Sequence, residues 1–327
     1  MIQSPKYPLA FLPTPLHYLP NLSREVPYQI YIKRDDQTGL ASGGNKTRKL
    51  EYLIQDALNL GYDTVITAGA QQSNHCRQTA AACALAGLEC HLWLNGFQPE
   101  HYQGNLLLSH LLGARLHFSG DQAKGREAAL KQLQKELDNR GQKTYLIPVG
   151  GSNLTGATGY IAAMSELKQQ MTEQQIDFDY IFFATSSGGT QAGLMIGQKI
   201  FKVKARLMPI LIDKEADFEV PLPQHIFDII SEFNAASSQP IHINLDDIPL
   251  IKDYNQAGYG ILTTHEQAAI HLLAQQEGIL LDPVYTGRAF YGMWNILQQK
   301  ILPENSRVLF WHTGGLPALC AYADALH

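Results

Sequence analysis

Short apolar runs alternate with amphipathic stretches of helical length along almost the whole chain, and no other feature restricts the possible folds as much. Tyr28–Lys33 (YQIYIK) is predicted as a strand. Lys46–Leu60 is predicted as a helix, because Leu50, Leu53, Ile54, Ala57 and Leu58 recur at i, i+3, i+4, i+7 and i+8, and Gly61 ends it. Further predicted strands are Thr64–Thr67, Cys90–Leu94, Arg115–Phe118, Lys143–Pro148, Tyr180–Ala184, Arg206–Ile212 and Arg307–Trp311. Predicted helices fall at Asn74–Ala86, His101–Leu112, Asp121–Arg140, Ala157–Gln170, Thr190–Ile200, Glu266–Gln276 and Gly287–Gln299, with Pro317–Ala325 as a closing helix. This rhythm implies βαβ units and an α/β fold of mainly parallel sheets covered by helices on both faces. The segment Asp213–Asp253, interrupted by Pro221, Pro223, Pro240 and Pro249, yields one clear helical stretch and is a candidate for the substrate side of a site.

Length and composition narrow the function classes. With 327 residues, the chain has room for two domains of roughly 150 residues each. Hydrophobic residues make up 45% and charged residues 17%, an ordinary globular balance that excludes wholesale disorder. A net charge of −5 with no basic run gives no footprint for nucleic acid. No stretch approaches the ~20 apolar residues of a membrane span, so no membrane partner is expected. The Pro-broken start, MIQSPKYPLAFLPTPLHYLPNL, lacks signal and transit patterns, and the expectation is a cytoplasmic protein. Cys76, Cys83, Cys90 and Cys320 form no C-x-x-C pair, so no metal is expected. Cys76 and Cys83 read as buried packing, with an oxidisable thiol as the lesser alternative.

Ligands of open parallel sheets sit beyond the carboxyl ends of strands, and polar motifs cluster at such junctions. In Ser42-Gly43-Gly44-Asn45-Lys46, two glycines allow a tight turn and Lys46 opens a helix. A cation at that end opposes the helix dipole, which favours the neutral amine that Schiff-base chemistry needs. A solvated turn lysine is the plain alternative. Gly69-Ala70-Gln71-Gln72-Ser73-Asn74-His75 follows a strand and opens a helix, where amides and side chains can hold a carboxylate, or Ser73 is simply an N-cap. Thr185-Ser186-Ser187-Gly188-Gly189-Thr190 lacks both the Walker lysine and dinucleotide spacing, and suits one terminal phosphate or a plain turn. Asp282-Pro283-Val284-Tyr285-Thr286-Gly287 and His312-Thr313-Gly314-Gly315 permit close approach of a planar ligand, or cap helices. Pyridoxal 5'-phosphate would use all four motifs.

The stretches GGNKTRKLEYL, AGAQQSNHCRQTAA, IPVGGSNLTGATGY, AGYG, EGILLDPVYTGRA and HTGGLPAL occur in family order over about residues 8–325. They resemble the D-cysteine desulfhydrase and 1-aminocyclopropane-1-carboxylate (ACC) deaminase family, fold type II pyridoxal-phosphate enzymes related to the tryptophan synthase β subunit. The resemblance implies a two-domain α/β enzyme. Residues 1–47 with 154–327 would form the larger, cofactor-binding domain, and 48–153 a smaller inserted one. It implies a homodimer and a small amino-acid substrate. Lys46 matches the Schiff-base lysine and Lys49 a phosphate-binding lysine. Ser73, Asn74 and His75 match the group that meets the substrate carboxylate, with Asn74 also beside the ring's phenolic oxygen. Ser187, Gly188, Gly189 and Thr190 match the phosphate loop, although Gly189 departs mildly from relatives. Tyr259 and Tyr285 match two active-site tyrosines.

ACC deaminases carry Glu after the DPVY tyrosine and Leu in the H-x-G-G motif. Thr286 and Thr313 stand at those positions here, the desulfhydrase pattern. A threonine hydroxyl beside the ring nitrogen makes a weaker electron sink than a carboxylate, and loss of sulfide from Cβ demands less of the ring than opening a cyclopropane. The resemblance therefore implies β-elimination from D-cysteine to pyruvate, sulfide and ammonia. An ACC deaminase or related eliminase, and a pyridoxal-phosphate reservoir or sensor without turnover, are the alternatives. The segment after Ile210 (LIDKEADFEVPLPQH) matches the family least.

Overall fold

A computed structural model describes residues 5–121 and 125–326. The strands are β1 (Leu16–Tyr18), β2 (Gln29–Arg34), β3 (Thr64–Gly69), β4 (Glu89–Leu94), β5 (Arg115–Phe118), β6 (Thr144–Leu146), β7 (Tyr180–Thr185), β8 (Arg206–Leu211) and β9 (Arg307–His312). The α-helices are α1 (Leu22–Glu25), α2 (Lys46–Asn59), α3 (Asn74–Ala86), α4 (Gly104–Leu111), α5 (Arg126–Asp138), α6 (Leu154–Glu173), α7 (Gly189–Ile200), α8 (Leu222–Ala236), α9 (Thr264–Glu277), α10 (Thr286–Gln298) and α11 (Leu316–Leu319).

Two sheets organise these elements. One has the order β1-β2-β9-β7-β8, parallel except for the antiparallel edge strand β1. The other, β5-β4-β3-β6, is wholly parallel. Side chains alternate between faces, as the pleat requires. Ile181, Phe183, Leu309 and Trp311 pack under α6, α7 and α8, whereas Phe182, Val308 and Phe310 pack under α9 and α10. In the second sheet, Val65, Leu92 and Leu94 face α2 and α3, while Ile66 and Ala68 face α5. Cys76, Cys83 and Cys90 belong to the α2–α3 side of this core, and Cys320 is exposed. Every residue of β3 is buried, as expected of a strand covered on both faces.

Local signals explain most boundaries. Ser73 caps α3 by accepting from the Cys76 N–H, and Gly87 ends it in the left-handed region. Thr263 and Glu266 form a reciprocal capping box that starts α9 before the predicted Glu266. Two predictions need correction. The closing helix is α-helical only over Leu316–Leu319 and continues as a 3₁₀ turn over Cys320–Ala325, where no side chain is buried and no packing enforces the wider helix. The helix predicted at Asp121–Arg140 is observed over Arg126–Asp138, and residues 122–124 lie outside the described residues. The short edge strand β1 and helix α1 give no periodic signal. Among the described residues, no helix is long and apolar enough to cross a membrane.

The sheets are tied through α2, which crosses α6 where Gly159 lies against the Arg48 carbonyl; a Cβ there would collide with it. Buried Asp35, at the end of β2, receives Arg48 Nη2 at 2.8 Å, Tyr160 Oη at 2.6 Å and Trp311 Nε1 at 2.8 Å. Arg48 also donates to Glu166, which pairs with Lys33.

Candidate active site

The carboxyl ends of β3, β7, β8 and β9 converge on a cavity of about 270 Å³. Its lining includes Lys46, Ser73, Asn74, His75, Ser187, Gly188, Thr190, Tyr259, Tyr285 and Thr313, ten of the sequence-predicted positions. Lys49, Gly189 and Thr286 stand behind this wall.

Lys46 is the first residue of α2 and reaches the cavity. Its amine meets only Asn45 Oδ1, at 3.4 Å, among the described residues. Burial destabilises the ammonium and pushes its pKa down to about 8, partly opposed by the Asp282 carboxylate. Loss of hydration acts in the same direction as the helix dipole expected at the start of α2. Asn45 also donates from Nδ2 to Thr190 Oγ1 at 3.2 Å, joining the start of α2 to the loop before α7.

That loop is a built cup. Gly188 adopts φ 83°, and a Cβ on Gly189 would stand 2.8 Å from Ser152 Cα and 3.0 Å from Lys49 Nζ. Ser152 holds the loop: its hydroxyl donates to Ser187 Oγ at 2.8 Å and accepts from the Gly189 N–H at 3.2 Å. Lys49 is buried, donates to the Gly150 carbonyl at 3.0 Å and makes no ion pair among the described residues. Burial and neighbouring Lys46 push its pKa well down, so an anion at the loop would supply the missing counter-charge.

On the opposite wall, each polar group has a defined direction. Thr67 donates to the Ile147 carbonyl at 2.8 Å, and His75 Nε2 lies 2.8 Å from the same hydroxyl. The hydroxyl proton is thus committed, so Nε2 carries the imidazole proton and donates to Thr67. His75 Nδ1 is left as a buried acceptor with no partner among the described residues. Burial, then Lys46 and Lys49, hold His75 neutral well below its usual pKa. A bare lone pair cannot receive a carboxylate, so the hydrogen-bond donors at this wall come from its neighbours and the start of α3.

Tyr259 and Tyr285 share a hydrogen bond of 2.9 Å, and burial pushes both phenols up. The motif D-P-V-Y-T-G explains the placement of Tyr285. Asp282 accepts from the N–H groups of Val284 and Tyr285 at 3.0 Å and of Thr286 at 2.6 Å. Thr286 donates its hydroxyl to Asp282 at 2.7 Å and accepts from the Asp282 N–H at 2.8 Å. Thr286 is fully buried, so the expected ring-edge donor is absent at this position: its proton is committed to the turn that aims Tyr285. Thr313, which lines the cavity, has no side-chain hydrogen-bond partner among the described residues and is left as the hydroxyl facing it.

Sequence reasoning did not single out Asn45, Asn105 or Ser152, and reached Asp213 only as the start of the candidate substrate-side segment Asp213–Asp253. Ser152 follows a Gly-Gly pair after a strand, a signal that was available. Asp213 lies just beyond β8 and lines the cavity. Its Oδ2 is buried and unpartnered among the described residues, and burial raises its pKa. The cavity thus offers a destabilised amine, a loop cup backed by a lysine with no ion pair among the described residues, and the unpartnered Thr313 hydroxyl. These features fit an aldehyde-bearing ring with one phosphate.

Comparison with known proteins agrees. The family described as "Pyridoxal-phosphate dependent enzyme" matches residues 8–314. A Klebsiella pneumoniae (strain 342) protein named D-cysteine desulfhydrase is 42% identical over 323 residues, covering 97% of this chain and 96% of that protein. A Salmonella newport protein of the same name is 41% identical with the same coverage, 97% and 96%. A solved structure of an ACC deaminase homologue superposes with a TM-score of 0.89 at 38% identity, covering 99% of this chain and 96% of that one. With a matching profile over most of its length and close relatives spanning nearly all of it, the chain belongs to the pyridoxal-phosphate dependent enzyme family.

Proposed function

We propose that this enzyme is a β-eliminating lyase that converts D-cysteine, or a close β-substituted analogue, to pyruvate, sulfide and ammonia. The observation that carries the reading is the Lys46 amine, destabilised as an ammonium and set between an anion cup and a hydrogen-bonding wall. The near full-length likeness to proteins named D-cysteine desulfhydrase supports the substrate.

Lys46 would bind the cofactor aldehyde, with Ser187, Gly188, Gly189 and Thr190 around the phosphate and Lys49 neutralising it from behind. Pyridoxal phosphate, when bound, supplies an electron sink conjugated to the substrate α-carbon. Ser73 and the amides opening α3 would hold the substrate carboxylate, and Asn74 would donate toward the ring's phenolic oxygen. Lys46 Nζ, freed as a neutral amine, takes the α-proton. Tyr259 and Tyr285, held protonated by burial, keep a proton at their shared hydrogen bond for the side-chain end of the substrate. Thr313 would offer the ring a neutral hydroxyl from the cavity wall.

ACC deamination is the second reading, favoured by the 38% identity to the ACC deaminase homologue. Thr286 and Thr313, where that activity carries Glu and Leu, argue against it. We also place the enzyme in the cytoplasm, as a homodimer. The proposed division, 48–153 as the smaller unit and 1–47 with 154–327 as the larger, is supported by sheet membership: β3 to β6 fall inside the insert and the other strands outside.

A turnover panel of D-cysteine, L-cysteine, ACC and D-serine, reading sulfide and α-keto acid, tests the substrate. D-Cysteine should be preferred, and a preference for ACC would overturn the threonine argument. Borohydride reduction and digestion should place a pyridoxyl group on the Lys46 peptide; its absence there with cofactor supplied sinks the whole reading.

A further inference from the structure

Asn105 lies in the first turn of α4, fully buried, and brings an amide into the otherwise apolar run NLLL. Its Nδ2 donates to the Gln72 carbonyl at 2.9 Å and to Asn74 Oδ1 at 2.8 Å. Its own N–H donates to Gln72 Oε1 at 2.9 Å. A main-chain carbonyl can only accept. The atom of Asn105 that faces the Gln72 carbonyl must therefore be nitrogen, and the same nitrogen reaches Asn74. Asn74 must then present its oxygen to Asn105 and turn Nδ2 the other way. That direction is toward the Gly314-Gly315 turn, where a Cβ on Gly315 would stand 2.9 Å from Asn74 Nδ2. The two ends of a carboxamide are nearly isosteric, so shape alone does not choose between them.

The geometry points to Asn105 as a positioning residue: anchored on a backbone carbonyl, it makes Asn74 offer a donor rather than an acceptor to the phenolic oxygen of the cofactor ring. This rests on the reading that Asn74 stands beside that oxygen. Asn105 is not among the cavity-lining residues and acts only through Asn74. A donor stabilises negative charge on the ring oxygen. A reversed amide would oppose that charge with a lone pair.

The test uses the holoenzyme and follows the visible band of the lysine-bound cofactor against pH. Asn74→Ala should raise the titration midpoint by about half a pH unit or more, because loss of a donor disfavours the more negative form. Asn105→Asp and Asn105→Leu should shift it in the same direction, and either combined with Asn74→Ala should add nothing further. That non-additivity separates positioning from a general structural role. If Asn105→Asp does not fold, Asn105→Leu carries the same comparison. A midpoint shifted by Asn74→Ala but unmoved by the folded Asn105 variants overturns the proposal and leaves the reading of Asn74 standing. A midpoint unmoved by Asn74→Ala overturns both, since no ring-facing donor then exists to be oriented.

Discussion

The Lys46 ammonium, half-buried in the cavity wall, loses part of its hydration and gains no ion pair in return, so the neutral amine is within reach near neutral pH. Because its pKa is lowered to about 8, the neutral fraction is small below that value and complete above it. Capture of pyridoxal phosphate by the apoprotein should therefore quicken by roughly tenfold per pH unit on the acid side and level off above the midpoint. Stopped-flow growth of the visible band reads this directly, and a flat profile would contradict the assigned burial. The tyrosine pair makes a second prediction at this scale. Tyr285→Phe removes one hydroxyl of the 2.9 Å bond and leaves Asp282 and the turn in place. Turnover of D-cysteine should fall about tenfold to a hundredfold with the visible band retained. Undiminished turnover would remove Tyr285 from the chemistry.

At the scale of elements, the loop before α7 works because two glycines bring backbone close to Ser152 and Lys49. Gly189→Ala places a methyl 2.8 Å from Ser152 Cα, a backbone atom that cannot swing aside. Cofactor affinity, measured by equilibrium titration, should weaken about tenfold, the size expected of roughly 1.4 kcal/mol lost. An unchanged affinity would mean the cup tolerates widening. Such strand-to-helix junctions were legible in the sequence because the signals are local: glycine for a turn, Ser73 as a cap, a hydroxyl-rich loop after an apolar run. Lys46, both tyrosines and the loop before α7, which meet at the cavity, were read from such segments or from family likeness. Asn105 was not legible. It comes from a separate helix, and its role depends on a carbonyl at Gln72 that no spacing rule connects to it. The role of Thr286 was misread for the opposite reason: its motif was visible, but the fold commits its hydroxyl to Asp282 inside the same turn. The edge strand β1, three residues with two exposed, offers too little periodicity to announce itself.

For the whole molecule, the joint between α2, α6 and the larger sheet depends on Arg48 and Asp35. Arg48→Met leaves Asp35 buried without its guanidinium and should cost about 3–5 kcal/mol in urea unfolding, because an orphaned buried charge is not rehydrated. Little or no loss would mean that Tyr160, Trp311 and Lys33 suffice. The same pair makes an acid-side prediction. Burial pushes the Asp35 carboxyl up, but the Arg48 guanidinium together with Lys33 and the Tyr160 hydroxyl outweighs it and holds Asp35 at about 2, below its ordinary 3.8. A depressed carboxyl contributes stability above its unfolded pKa and loses it as pH falls through the folded value. Wild-type stability should thus decline between pH 3.8 and about 2, more steeply than in Arg48→Met.

The burial of Cys76, Cys83 and Cys90 bears on how the protein withstands thiol-reactive agents. Electrophiles and oxidants consume the thiolates that they can reach. Here Cys76 is held near 12 and Cys90 is pushed well above its ordinary value, while Cys320 alone is open to solvent. Native alkylation with iodoacetamide should add a single label, at Cys320, and leave activity intact.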